Sequence, residues 1–168
     1  MRVAIAALAI GLAFSAPALA EQNWQEFKPA HGGFRVEMPD TPDHKATDDE
    51  LPLHTALVAI DKSVAGADLV FIVKYRARRE KPGAEAPGVL DAVVKAMAEG
   101  NTILSDKSDP IGGFPAREFT LRDKDKDTYQ IRAVLTDRYF VEVLFLGPPD
   151  NPLGKRFLDS FQVENGSE

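Results

Sequence analysis

The sequence predicts an α+β protein built on a mainly antiparallel sheet with helices on its faces, and three observations predict it. Short β-branched and aliphatic runs are bounded by Gly, Pro and Asp. Two hairpins between Gly113 and Gly147 share a middle strand. Two stretches carry helical periodicity, one between hairpins and one near the C-terminus.

Taken in order, the chain opens with Met1-Arg2, an apolar run from Val3 to Phe14, and Ala18-Leu19-Ala20 ahead of Glu21. A positive start, an apolar core of about a dozen residues and an A-x-A end form a secretory signal peptide. The run is shorter than the roughly 20 residues of a bilayer span. Residues 1–20 are therefore expected to be removed, leaving one α+β domain over 21–168. The remaining 148 residues suffice for a real core. The signal holds one cation, Arg2, so 19 basic against 26 acidic residues give a mature net charge of −7. That acidity argues against nucleic acid and anionic membrane as main partners. Without cysteine, neither a lipid-modified cysteine nor a disulfide is available. The mature chain is expected to be soluble in the periplasm or outside the cell, with no stable membrane insertion.

Trp24 and Phe27 precede Gly32-Gly33, and Phe34 to Met38 alternates apolar and charged, so the opening reads as a first hairpin. Asp40 to Pro52, rich in Pro and acids, reads as a surface loop. Leu53 to Ile60 and Leu69 to Tyr75 form a second hairpin. Leu90, Val93, Val94 and Met97 fall on one face of a helix over Val89 to Glu99, with Gly100-Asn101 as its stop. Near the end, Asn151 can cap a helix that Pro152 begins, with Leu153, Phe157 and Leu158 inward. Phe161-Gln162-Val163 can extend as an edge strand.

The central meander runs Arg117 to Arg122, Thr128 to Leu135 and Tyr139 to Leu146. A three-residue loop, Thr136-Asp137-Arg138, is expected between the last two strands, because a shorter one would bury an unpaired Glu142 carboxylate. That register puts Phe119, Ile131, Leu135, Val141, Val143 and Phe145 on one face. Glu118, Arg132 and Glu142 then stand side by side on the other. A two-residue loop would bury Glu142 beside Ile131 and Leu135.

Four stretches carry a resemblance: GGFRVEMPDTP at 32–42, GGFPAREF at 112–119, RAVLTDRYFVEVLF at 132–145 and RFLDSF at 156–161. They resemble small exported bacterial proteins related in fold to PsbP, the extrinsic photosystem subunit. The resemblance covers most of the mature chain and rests on turn glycines, prolines and aromatic anchors. It implies an α-β-α sandwich with an antiparallel sheet, also seen in a nuclear protein that binds the Ran GTPase. Characterised relatives bind or stabilise partner proteins, and no catalytic residue carries over.

The residues offer little to catalysis. The acids of Asp123-Lys124-Asp125-Lys126-Asp127 alternate as in an EF-hand, but Thr128 and Val134 stand where Gly and Glu are required, which leaves a solvated hairpin tip. His31, His44 and His54 match no zinc spacing and read as unrelated surface histidines. Ser63, Ser105, Ser108, Ser160 and Ser167 lie outside any nucleophile elbow, and Gly112-Gly113 lacks a phosphate-binding context. No catalytic residue, metal or cofactor is implied. Lys74, Arg76, Arg78 and Arg79 form the one basic cluster, a candidate for an anionic partner, against a reading as edge protection. Two functions follow. One is an exported binding or accessory protein, non-catalytic, acting on an envelope or secreted protein. The other is a hydrolase or small-ligand protein with its polar site at Glu118, Arg132 and Glu142.

Overall fold

The computed structural model describes residues 23–61 and 67–164. The expected signal at 1–20 lies outside them. Among the described residues, ten strands and two helices make a mixed α+β fold with only antiparallel pairings.

The first hairpin is β1 (Gln25–Phe27) and β2 (Phe34–Met38), and β10 (Gln162–Val163) pairs with the other side of β2. This three-stranded sheet sits apart from a seven-stranded one. The larger sheet holds β3 (Asp43–Ala46), β4 (Leu53–Ile60), β5 (Leu69–Ala77), β6 (Thr102–Ser108), β7 (Ala116–Arg122), β8 (Thr128–Leu135) and β9 (Tyr139–Leu146). Its strand order is β3-β4-β5-β9-β8-β7-β6, so β9 is central. Two edge strands escape the sequence pattern. β3 lies inside the stretch expected to be a loop, and β6 was not expected at all. All residues of both are exposed. Without a buried face, no apolar alternation is selected, and the ladder holds them with a few side-chain contacts such as Arg117 to Asp106 at 2.6 Å.

Helix α1 (Ala86–Met97) covers one face of the large sheet through Leu90 and Val94, which pack with Phe119, Leu121, Ile131 and Leu144. Asn101 Nδ2 donates to the Met97 carbonyl at 2.8 Å, and Gly100 has φ +79°, the left-handed geometry glycine allows. Helix α2 (Pro152–Ser160) and the small sheet cover the other face, around Phe34, Phe71, Phe145 and Phe157. Asn151 Oδ1 accepts from the Leu153 and Gly154 amides at 2.9 and 3.3 Å, the expected cap. No helix among the described residues is long and apolar enough to cross a membrane.

The register of β9 corrects the expected one. Thr136 faces Tyr139, donating its amide to the Tyr139 carbonyl at 2.8 Å, and only Asp137 and Arg138 remain at the tip. The buried Thr136 hydroxyl accepts the Tyr139 amide at 2.9 Å, closing the turn without the positive φ that usual two-residue hairpins require. Arg132 consequently pairs with Val143, and Glu142 with Ala133. Tyr139, Val141, Val143 and Phe145 face α2, and Glu142 lies on the α1 side, away from Arg132.

Glu142 is half-buried, and burial pushes its carboxyl above the usual range despite the opposing pull of Lys74, its cross-strand neighbour. A raised folded pKa means stability fully present below the ordinary value of 4.5 and lost as pH rises through the folded value. At neutral pH the carboxylate is therefore a net cost. Glu142→Gln is expected to raise stability at pH 7 by about 1 kcal/mol, the lower end of a poorly solvated polar group's penalty. Chemical denaturation at pH 7 and pH 4 checks it, with the gain shrinking at the lower pH.

Candidate functional site

On the α2 side, the helix and the small sheet cover β9 and its neighbours but leave the far strands open. Register fixes what they present. Lys107, Glu118 and Arg132 stand in one row across β6, β7 and β8, and Ser105, Thr120 and Gln130 in the next. These two rows floor an open cleft of about 490 Å³. Lys155 and Asp159 of α2 and the loop at Pro149 and Asp150 wall it.

Arg132 ties the wall to the floor. Its Nη1 donates to the Leu158 carbonyl, its Nη2 to Asp159 Oδ1 at 3.2 Å, and its Nε lies 3.5 Å from Glu118 Oε1. Lys155 Nζ bonds Asp159 Oδ2 at 2.6 Å. That bond holds the Asp159 carboxyl below its ordinary range; burial opposes it, and the Lys155 and Arg132 charges add to the lowering. Lys107 is bonded to Asp109. Charges thus alternate along the row, and each cation named has an acid beside it. Loss of the three Arg132 contacts takes the guanidinium from Glu118 and unties α2 from β8, while Asp159 keeps Lys155 and the Leu158 carbonyl keeps the Phe161 amide. Arg132→Ala is expected to cost about 1.5–3 kcal/mol, the range for hydrogen bonds to charged groups. Thermal denaturation beside Arg132→Lys, which keeps the charge but not the fork, checks it.

Of the expected trio, the structure brings Glu118 and Arg132 together and excludes Glu142. Ser105, Lys107, Thr120, Gln130, Lys155 and Asp159 were missed as site residues. The i,i+4 spacing of Lys155 and Asp159 was the available signal; for Ser105 and Lys107 there was none, because β6 carries no pattern. The lining contains hydroxyl, amide, carboxylate, ammonium and guanidinium groups, with no imidazole and no thiol. Such groups fixed on strands can recognise a polar surface by hydrogen bonds and charge pairing.

The basic cluster is compensated. Arg76 lies 3.8 Å from Asp49, Arg78 3.8 Å from Glu85, and Arg79 pairs with Glu50. Lys74 faces Glu142 across the ladder. Acids from the surrounding loops therefore neutralise the patch that the sequence left open to an anion.

Two of the three histidines are not unrelated. Parallel rings of His44 and His54 stack 5.4 Å apart, His54 stacks on Tyr75 at 4.6 Å, and Tyr75 Oη lies 3.4 Å from His44 Nε2. Burial, then the His44 charge, holds the His54 pKa below its ordinary value. His31 lies elsewhere, its carbonyl accepting from Arg138 Nη1 at 2.7 Å. At the hairpin tip, Asp123 Oδ1 accepts from the Asp125 and Asp127 amides, both at 2.9 Å, as a solvated turn does.

The sequence matches no protein-family model, and none of the curated proteins compared with it is significantly similar.

Proposed function

We propose that the protein is an exported binding or accessory protein without catalytic activity, and that it holds a partner protein against the open half of its main sheet. The observation that carries this reading is the pair of polar rows on β6, β7 and β8, a recognition surface set on rigid strands and left uncovered by α2. The signal-like stretch at 1–20 supports export. Resemblance to exported proteins with a PsbP-like α-β-α sandwich supports a partner-binding role, as does the antiparallel layout.

The small-ligand or hydrolase reading draws on the cleft's volume, which lies within the range of ligand pockets. It is the weaker of the two, because Arg132 and Lys155 are committed to Asp159 and Glu118, and the lining offers no base poised against a hydroxyl.

A photo-crosslinking residue at Ser105, compared with one at Lys45 on the opposite sheet edge, tests the reading in cells exporting the chain. Intact mass should place the mature start at Glu21. The Ser105 position is expected to give a discrete adduct, competed by unlabelled protein, and the Lys45 position none. Identical adducts from both positions, or none from Ser105, would overturn it.

A further inference from the structure

The two edges of the large sheet differ. β3 is four residues long, and its Lys45 and Asp43 form an ion pair at 2.8 Å, a blunted edge. β6 is seven residues long, and its exposed side carries Ile103 and Leu104, 46 % and 43 % accessible. It also borders a depression on each face. On one lies the polar cleft, which receives Ser105 and Lys107. On the other, Ile103 meets Ala92, Val94 and Ala96 of α1 in a shallow groove of about 970 Å³. A strand laid along β6 would send alternate side chains into the two depressions.

We infer that β6 is the docking edge for an extended segment of the partner, added antiparallel as an eighth strand; this rests on the binding role proposed above. The chemistry of the segment follows from the strand that already satisfies β6 from the inside. There β7 sets Glu118 opposite Lys107, Thr120 opposite Ser105 and Leu121 opposite Ile103. An outer strand meets the same side chains, so it favours an acid that can take over Lys107 from its exposed pair with Asp109, and an apolar residue three positions later against Ile103. A second copy of β6 does not meet that need. Antiparallel self-pairing would lay the Ile103-Leu104 end against the Asp106-Lys107 end, facing apolar residues with charge.

The test uses labelled peptides of the β7 sequence, AREFTLR, with a second in which its Glu is Lys and a third with scrambled order. Fluorescence anisotropy is read with the wild-type protein and with Lys107→Glu, whose folding is checked by circular dichroism. Wild type is expected to prefer the Glu peptide over the Lys peptide by about fivefold, the upper end of one cross-strand charge pair, and Lys107→Glu to reverse that order. Amide exchange should show added protection in β6 with protection in β7 unchanged. Loss of protection in β7 would mean that the peptide replaces the inner strand, and would overturn the inference. So would equal binding of all three peptides, no binding, or a concentration-dependent dimer abolished by Leu104→Lys. If the peptides fail while the Ser105 adduct persists, edge docking falls and the binding role stands. Absence of both removes the role itself.

Discussion

Phe34→Ala is expected to destabilise the protein by about 3–5 kcal/mol, the cost of emptying a large buried aromatic site. Phe34 is fully buried on β2, and its ring meets Tyr75 at 5.3 Å, Phe161 at 5.8 Å and Tyr139 at 6.0 Å. Those partners come from β5, the segment after α2, and β9, so one side chain joins the small sheet, the large sheet and the C-terminal segment. A loss of that size is a large share of the roughly 5–15 kcal/mol that holds a typical domain. Urea denaturation should give a lower midpoint with an unchanged slope. A loss under about 1 kcal/mol would mean that the small sheet docks through other contacts, since surface-like substitutions fall in that range.

Gly154→Val is expected to destabilise by about 3 kcal/mol, at the top of the usual overpacking range. Gly154 lies in the first turn of α2, where the helix passes close to the buried Phe145 ring. A Cβ there would come within 2.6 Å of Phe145 Cζ and crowd two further ring carbons. The ring has nowhere to retreat, because it packs on Phe71 at 5.2 Å. In an exposed helix the replacement of Gly by Ala gains about 1 kcal/mol, so Gly154→Ala is the informative companion. Calorimetric melting of both variants should rank wild type above Ala and Ala above Val. A melting point for Gly154→Ala above wild type would mean that α2 can rise off the sheet without loss.

Much of the fold was legible because burial writes itself into sequence. Phe34 to Met38, Leu53 to Ile60 and Leu69 to Tyr75 each press at least one face into the core, and each appears as a strand close to its expected bounds. The helix over Val89 to Glu99 begins three residues earlier and ends two earlier, at Ala86 and Met97, a shift that the Pro87-Gly88 punctuation concealed. β3 and β6 were illegible for the converse reason. Strands with exposed faces have no side-chain period, and it is the ladder and pairings with residues far along the chain that make them strands.

The candidate site divides along the same line. The opposition of Glu118 and Arg132 was readable, because the five-residue Asp123 to Asp127 loop sets their register locally. The placement of Glu142 was not, because it hangs on whether Thr136 belongs to the turn or to the ladder, and a buried hydroxyl decides that. Lys107 and Asp159 come to Glu118 and Arg132 only when β6 joins the sheet and α2 packs across β9. What the sequence determined by itself was therefore the local pattern: which stretches bury a face, where the turns fall, and which cross-strand pair a short loop imposes. Tertiary structure decided which charges share a surface, since contacts between residues far apart in the chain leave no periodic mark on either segment.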